Sequence, residues 1–303
     1  STLPDRVIAT ARESAGVLLG PCDTASYPSV EAGGRNPSST FRSGFDLYAN
    51  LRPNRTRPGV PSVISQMDLV FVRECTEGFY ADRNMAVGSG EFMPTPDLAL
   101  AVRKISAQAC RRVAHTACRL ARQRRGKVTA VHKSNVFKLS DGLFLNSVKE
   151  VAAEYPDVAL DDLLVDAAAA WLVREPTRFD VIVTTNMYGD ILSDEAAQLS
   201  GSLGLGGGLL AGEKLAAAQA SHGSAPDIAG KDQANPTSLI LSAAMLLQWL
   251  GAQHERADCT QAANDIESAV DRILDQPEQR TPDLGGKNGT RAFGEAVAAA
   301  MAG

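Results

Sequence analysis

The sequence predicts an α/β protein, because short β-branched runs alternate along the chain with segments of helical periodicity. The runs at 128–132 and 179–185 have the composition of buried strands. Between 97 and 125, apolar residues recur three or four positions apart, which predicts a long amphipathic helix. Strands and helices in alternation are typical of the α/β class. The length of 303 residues suggests two domains of ~150 residues each.

The N-terminal part of the chain predicts a helix, two strands and a loop. A helix over 4–14 precedes a short apolar run at 16–20, which is bounded by glycines like a buried strand. Residues 21–40 are rich in proline, glycine, serine and asparagine, and they predict a loop. A further strand over 68–72 ends abruptly in a polar segment at 73–80. The buried strand is therefore followed directly by candidate functional residues.

Two helix boundaries are marked further along the chain. Gly126 follows the predicted long helix at the position of a C-terminal cap. Asn235 and Pro236 predict the start of another helix, with asparagine as the N-cap and proline in the first turn.

The composition is that of an ordinary globular protein. It has 44% hydrophobic and 21% charged residues, with 30 basic and 35 acidic side chains and a net charge of −5. This balance disfavours disorder and nucleic-acid binding. The arginines and the lysine between 119 and 127 are interpreted as the solvated face of a helix, with phosphate contacts as the weaker alternative.

No membrane span and no disulfide framework is expected. The most apolar stretch, 239–250, is shorter than the ~18 residues that a membrane span requires. Five scattered cysteines without a Cys-x-x-Cys pair favour a reducing cytoplasm. Because the chain opens on Ser1 with a helix that would normally follow a strand, we expect the natural protein to have further sequence upstream.

An acidic pair follows the predicted strand at 179–185. Asp190 and Asp194 are four residues apart, so they project from one face of a helix. Carboxylates in this arrangement suit a hard cation such as Mg²⁺. The alternative is that they only complement the helix dipole.

Several isolated polar residues stand at the ends of predicted elements. Arg42, Arg52 and Arg73 could clamp a substrate with several carboxylates, although each alone could be a surface residue. Tyr80 and Lys133 lie just beyond apolar strands and could transfer protons. No Gly-x-Gly-x-x-Gly joins a strand to a helix, so a Rossmann dinucleotide site is not supported.

Six motifs follow one another along nearly the whole chain. They are DLYANLRP at 46–53, VRE at 72–74, HKSNV at 132–136, NMYGDILSD at 186–194, HGSAPDIAG at 222–230 and TPDLGG at 281–286. Their order and wording resemble the β-decarboxylating dehydrogenases, the family that includes isocitrate, isopropylmalate, homoisocitrate, tartrate and D-malate dehydrogenases.

The resemblance implies an α/β fold of the isocitrate/isopropylmalate dehydrogenase type, with two domains and not a Rossmann fold. One domain, on the cofactor side, would be built from residues 1–47 and 202–303. The central domain, 48–201, would carry the substrate, metal and dimer contacts.

The resemblance also implies a set of site residues. Arg42, Arg52 and Arg73 would hold the substrate carboxylates. Mg²⁺ or Mn²⁺ would be bound by three aspartates, which are Asp166, Asp190 and Asp194. Lys133 and Tyr80 would be the catalytic residues, with Tyr80 as proton donor to C3. The active site would be shared in a homodimer, because Lys133 and Asp166 would come from the second subunit.

The cofactor implied by the resemblance is NAD, bound along the loop at 222–235. The expected contacts are Asn135, His222, Gly223, Asp227, Ile228 and Asn235. Asp227 followed by Ile228 suits the free ribose hydroxyls of NAD, because a carboxylate would repel the additional phosphate of NADP.

The chain departs from the family pattern in ways that bear on its substrate and cofactor. The family's opening strand and its Gly-Asp-Gly-Ile-Gly turn are absent from this sequence. Asn36 and Ser38 are polar where isopropylmalate enzymes usually present leucines. By family the activity would be NAD-dependent and 3-isopropylmalate dehydrogenase-like. Isocitrate, tartrate or D-malate dehydrogenase activity, or a non-catalytic regulatory subunit, stay open as alternatives.

Overall fold

The computed structural model describes residues 1–80, 85 and 90–302, and it has an α/β architecture. The described strands are β1 Val17–Leu19, β2 Ala49–Arg55, β3 Asp68–Glu74, β4 Glu91–Thr95, β5 Leu98–Ala101, β6 Lys127–His132, β7 Ala159–Leu164, β8 Val181–Thr184, β9 Leu209–Ala211 and β10 Ala216–Gln219. The described helices are α1 Asp5–Glu13, α2 Pro37–Gly44, α3 Ala107–Arg122, α4 Ser140–Ala152, α5 Val165–Arg174, α6 Asn186–Leu199, α7 Thr237–His254, α8 Ala257–Leu274 and α9 Thr290–Ala302.

An eight-stranded mixed sheet forms the centre of the molecule. Its strand order is β1-β10-β9-β2-β3-β8-β6-β7. The strands β3, β8, β6 and β7 are parallel, whereas β2 pairs antiparallel with both β3 and β9. The sheet is continuous across both boundaries of the predicted central domain, so the division into two domains stays a prediction.

Helices cover both faces of the parallel strands, and this explains their continuous apolar runs. On one face, α3 and α4 pack Val113, Ala117 and Val148 against β3 and β8. On the other face, α5 and α6 pack Leu172 and Leu192 against the same strands. A separate core joins α7, α8 and α9. The carboxyl ends of β3 and β8 therefore meet at one edge, where the polar motifs begin.

Two sequence predictions are corrected by the fold. The region 21–40 is not wholly a loop, because α2 begins at Pro37 with Asn36 as its N-cap. The long helix does not begin near 97. It starts at Ala107, where the Ser106 side chain accepts the N–H of Ala109. The preceding residues Leu98–Ala101 form β5, which pairs with β4 in a hairpin, so a short apolar strand was misread as the start of a helix.

Other predicted elements are confirmed within a residue or two. The helix α1, the strands β1, β3, β6 and β8, and the start of α7 lie where the sequence predicts them. Gly126 follows α3 with a φ of 73°, and its N–H bonds to the carbonyl of Ala121. In the described part of the chain, no helix combines the length and apolarity needed to cross a membrane.

Candidate active site

Three arginines from different elements converge on one cleft. Arg42 lies in the last turn of α2, Arg52 in the middle of β2 and Arg73 near the end of β3. Because β2 and β3 are paired strands, Arg52 and Arg73 come close although 21 positions separate them in the sequence. The cleft measures about 440 Å³, opens to solvent and is lined almost wholly by polar atoms. Its lining comprises Asn36, Ser38, Ser39, Arg42, Arg52, Arg73, Tyr80 and Asp190.

Arg52 and Arg73 are both tied to helix α6. Arg73 donates from Nε and Nη2 to the side-chain oxygen of Asn186, at 3.0 and 2.6 Å, and forms an ion pair with Asp190. Arg52 pairs with Asp194 at 3.0 Å and with Asp190 at 3.2 Å. Burial, followed by the neighbouring charge of Arg52, lowers the pKa of Arg73 to about 10, so it stays protonated at neutral pH.

A glycine allows this close approach. At Gly189 on α6, an added Cβ would lie 2.7 Å from Cγ and 2.8 Å from Cβ of Arg73. Any larger residue would therefore push the guanidinium away from Asp190. This is the physical reason for glycine within the NMYGDILSD motif.

Arg42 differs from the other two arginines because it has no counter-ion. Its side chain is 8% exposed. Its Nε is buried without a hydrogen-bond partner, and no ion pair forms between Arg42 and any residue within 1–80, 85 and 90–302. A buried guanidinium is unfavourable unless an anion compensates it. The cleft therefore presents an unsatisfied positive charge to an incoming anion.

Asp190 and Asp194 project from one face of α6, as the spacing predicts, since both accept from Arg52. Burial raises the pKa of Asp194, Arg52 opposes this effect, and the charge of Asp190 adds to it. Two neighbouring carboxylates on one helix face are a donor set that fits a hard divalent cation. Tyr80 lies beside this acidic pair, with its hydroxyl 3.5 Å from Oδ2 of Asp190.

The third predicted metal ligand pairs with a lysine of its own chain. Asp166 lies in the first turn of α5, and Lys133 Nζ is 2.5 Å from its carboxylate. This bond holds the pKa of Asp166 below its usual range. Within the described ranges, no three His, Cys, Asp or Glu side chains are arranged to hold a metal ion. Among the described residues of one chain, therefore, Asp190 and Asp194 lack a third acidic ligand.

The predicted cofactor residues are distributed over two further clefts and the surface. His222 lines a cleft of about 390 Å³ that shares Ser38, Arg42 and Arg52 with the cleft of the three arginines. Ile228 lines a wider opening of about 710 Å³ formed by the loop that follows His222. Gly223 and Asn135 are exposed on loops, and Asp227 is exposed in a short 3-10 helix, Pro226–Ile228.

Asn235 has an additional structural role. Its side-chain oxygen accepts the N–H of Thr237 at 3.0 Å, and its amide donates to Asp283 at 3.1 Å. Both polar atoms of this side chain are engaged within the chain.

Two residues that sequence reasoning missed help to build the cleft. Asn186 is fully buried, orients Arg73 and donates to the carbonyl of Glu77 at 2.7 Å. Its place at the start of α6, directly after β8, was a usable signal. Ser39 lines the cleft beside Ser38, but no pattern in the sequence distinguished it from its neighbours.

The basic run at 119–127 extends beyond the end of α3 and is largely paired with acidic side chains. Arg122 pairs with Asp157, and Arg124 pairs with Asp68 and Asp180. These acidic partners neutralise the run, which agrees with the interpretation as a solvated helix face.

A family model described as isocitrate/isopropylmalate dehydrogenase matches residues 1–297. The chain belongs to this family. It is 48% identical over 262 residues to an isocitrate/homoisocitrate dehydrogenase of Thermus thermophilus, which covers 86% of this chain and 73% of that protein. It is 42% identical over 300 residues to a 3-isopropylmalate dehydrogenase of Methanothermobacter thermautotrophicus, covering 98% and 84%.

A solved structure agrees with this assignment. The isocitrate dehydrogenase of Methylococcus capsulatus superposes with a TM-score of 0.86 at 39% identity, over 99% of this chain and 85% of that chain. The predicted isocitrate/isopropylmalate dehydrogenase fold is thus confirmed, and the chain is an oxidoreductase of this family. Its relatives divide between isocitrate and isopropylmalate enzymes.

Proposed function

We propose that the protein is an NAD-dependent dehydrogenase that oxidises a 2-hydroxy acid carrying a carboxylate on C3 and releases that carboxylate as carbon dioxide. The observation that carries the proposal is the buried Arg42 without a counter-ion, beside Arg52 and Arg73 in a polar cleft. Guanidinium groups bind carboxylates through paired hydrogen bonds. A substrate with at least two carboxylates would satisfy this arrangement.

Metal binding is typical of the family, and the donors in this chain support it. Asp190 and Asp194, completed by Asp166 of a second copy, would hold Mg²⁺ or Mn²⁺. When bound, the cation would polarise the substrate's C2 oxygen and stabilise the negative charge that develops there. The aspartates also orient Arg52 and Arg73, so cation and substrate would share one wall of the cleft.

The proton transfers are assigned to Lys133 and Tyr80. Lys133 would accept the proton of the C2 hydroxyl as the C2 hydride leaves for the nicotinamide. Carbon dioxide then departs from C3, and the electron pair of the broken bond remains on the substrate. Tyr80, 3.5 Å from Asp190, would deliver the proton that C3 requires.

A homodimer with a shared site is part of the proposal. Exposed apolar side chains surround the segments that carry Lys133 and Asp190. Leu139 is 90% exposed, and Val136 and Ile191 are each 60% exposed. Exposed apolar side chains close together in the sequence support an interface at these segments. A second copy that covers it would bring its Lys133 and Asp166 to the acidic pair on α6.

NAD is proposed as the electron acceptor, in preference to NADP. Asp227 is exposed and immediately precedes Ile228, which lines the wide opening. A carboxylate there accepts hydrogen bonds from ribose hydroxyls and repels an additional phosphate. Comparison of kcat/KM with NAD and NADP tests this assignment, and a clear NADP preference would overturn it.

The substituent on C3 is proposed to carry hydrogen-bond acceptors. The side-chain oxygen of Asn36 accepts the N–H of Ser39 at 3.2 Å, which leaves the amide NH₂ as the group available to the cleft. An isopropyl group would gain little beside this amide and the hydroxyl of Ser38. Isocitrate or tartrate therefore suits the cleft better than 3-isopropylmalate does.

One substrate panel tests the proposed function. Isopropylmalate, isocitrate, D-malate and tartrate would be compared by kcat/KM with NAD and Mg²⁺, following NADH and carbon dioxide together. We expect equimolar products and the highest kcat/KM for a substrate with a polar C3 substituent. Absence of turnover with every member of the panel would refute the proposal. The five unpaired cysteines support action in a reducing compartment, and we propose the cytoplasm.

A further inference from the structure

We infer that the buried Arg103–Asp141 ion pair is a positioning element that holds the backbone of Lys133 in its working geometry. This inference rests on the proposed function, in which Lys133 transfers a proton. Asp141 is fully buried in the first turn of α4. One of its oxygens accepts the backbone N–H of Lys133 at 2.5 Å, and the other pairs with Arg103.

Arg103 also contacts the neighbours of the other functional residues. Its Nη2 donates to the hydroxyl of Thr185 at 3.1 Å, at the N-cap of the helix that carries Asp190. Three aromatic rings surround its guanidinium carbon, which lies 5.7 Å from the centroid of Phe79, 5.2 Å from Phe137 and 5.2 Å from Tyr188. Phe79 immediately precedes Tyr80.

The turn that carries Lys133 depends on this pair at its first residue. The carbonyl of Lys133 accepts N–H groups from Val136 and Phe137, at 3.0 and 2.9 Å, so the turn is closed internally. The N–H of Lys133 is bonded outside the turn, to Asp141. Arg103 compensates the Asp141 charge, and without it a buried carboxylate would be left unpaired. Loss of Arg103 should therefore displace both Asp141 and the turn.

The expected kinetic effect differs from that of a general loss of stability. Substrate carboxylates would be held by Arg42, Arg52 and Arg73, none of which contacts Arg103 or Asp141. Misplacement of Lys133 should therefore lower kcat and leave the KM for substrate unchanged. A merely structural pair would lower the melting temperature and leave the kcat of the folded enzyme intact.

The test compares Arg103→Met and Arg103→Lys with the control Arg111→Met. Arg111 on α3 likewise pairs with an acidic residue of α4, Glu150, but both side chains are at least half exposed. We expect Arg103→Met to lower kcat roughly 10- to 100-fold, as is usual when a residue that orients a catalytic group is removed. Arg103→Lys keeps the charge and should recover part of this loss, and Arg111→Met should match the wild type.

Amide hydrogen exchange provides a readout that is independent of activity. The amide of Lys133 should exchange faster in Arg103→Met than in the wild type, without a matching change in the preceding strand β6. If Arg103→Met does not fold, Arg103→Lys with reduced kcat, unchanged KM and faster exchange supports the inference. Wild-type kcat and exchange in either folded Arg103 variant overturn it. The exchange result does not depend on catalysis. If the wild-type protein turns over no substrate, the proposed function fails, and this failure is distinguishable from a failure of the inference about Arg103.

Discussion

Replacing Arg42 by methionine should make the free protein more stable and the enzyme much poorer. Arg42 is 8% exposed, and its Nε is buried without a partner. A buried, unpaired charge costs several kcal/mol, and partial hydration through the open cleft reduces this to about 1–2 kcal/mol. For a chain of this size, that corresponds to a rise in melting temperature of about 2–4 °C.

The catalytic cost follows from the hydrogen bonds that the guanidinium would make. Hydrogen bonds to charged groups contribute about 1.5–3 kcal/mol each. The loss of two such bonds from Arg42 to a substrate carboxylate should lower kcat/KM by about 10²- to 10⁴-fold. The substrate should also raise the melting temperature of the wild type but not of the variant, because binding to the folded state is stabilising.

Thermal unfolding with and without substrate, together with steady-state kinetics, measures both effects. Arg57→Met is the matched control, because Arg57 is also buried but pairs with Asp271 and lies outside the cleft. That substitution should lower the melting temperature and leave kcat/KM unchanged. If Arg42→Met destabilises the protein as Arg57→Met does, Arg42 is not an unpaired charge in the free protein. If Arg42→Met binds substrate as the wild type does, Arg42 does not bind a substrate carboxylate.

Three further outcomes are expected. The variants Lys133→Ala and Asp194→Asn should each be inactive alone. When the two are mixed in equal amounts, half of the dimers contain one copy of each, and one of the two sites in such a dimer is intact. The mixture should therefore recover about a quarter of the wild-type activity, and no recovery would contradict a shared site. Leu139→Asp should be inactive and should have the mass of a monomer in light scattering. The control Val30→Asp, at another exposed position, should stay dimeric. A dimeric Leu139→Asp variant would argue against this interface. Burial raises the pKa of Glu74, so ionisation is less favourable in the folded state. The free energy of unfolding of the wild type, measured relative to Glu74→Gln, should therefore fall as pH rises from the unfolded pKa of Glu74 to its higher folded pKa. A difference that grows with pH over this range would refute the raised pKa.

Local sequence patterns predicted the elements that are stabilised by burial. The strands β3, β6 and β8 are continuous apolar runs because helices cover both of their faces. The start of α2 was missed because proline and serine suggest a loop, although Asn36 capping Ser39 with Pro37 in the first turn is a helix-start pattern. The hairpin of β4 and β5 was missed because β5 is a short apolar run, and its pairing with β4 is a contact that local spacing does not encode.

The candidate site was predictable as far as residue type and motif order define it. One cleft is lined by five of the residues that the resemblance implies, which are Arg42, Arg52, Arg73, Tyr80 and Asp190. The supporting contacts were not predictable in the same way. Arg103 reaches Asp141 across 38 positions and Thr185 across 82. No local periodicity encodes such bonds, so they emerge only from the packed structure.

The acidic residues of the cleft have two competing partners, and this links its two proposed ligands. Asp190 and Asp194 are occupied by Arg52 and Arg73 in the free chain. The same carboxylate oxygens would be needed to hold a divalent cation. A cation bound there would weaken the ion pairs of Arg52 and Arg73 with the aspartates and leave both guanidinium groups freer to bind substrate carboxylates, while Asn186 would still hold Arg73. Cation and substrate should therefore strengthen each other's binding, by the same factor in both directions, because the coupling is a single free energy.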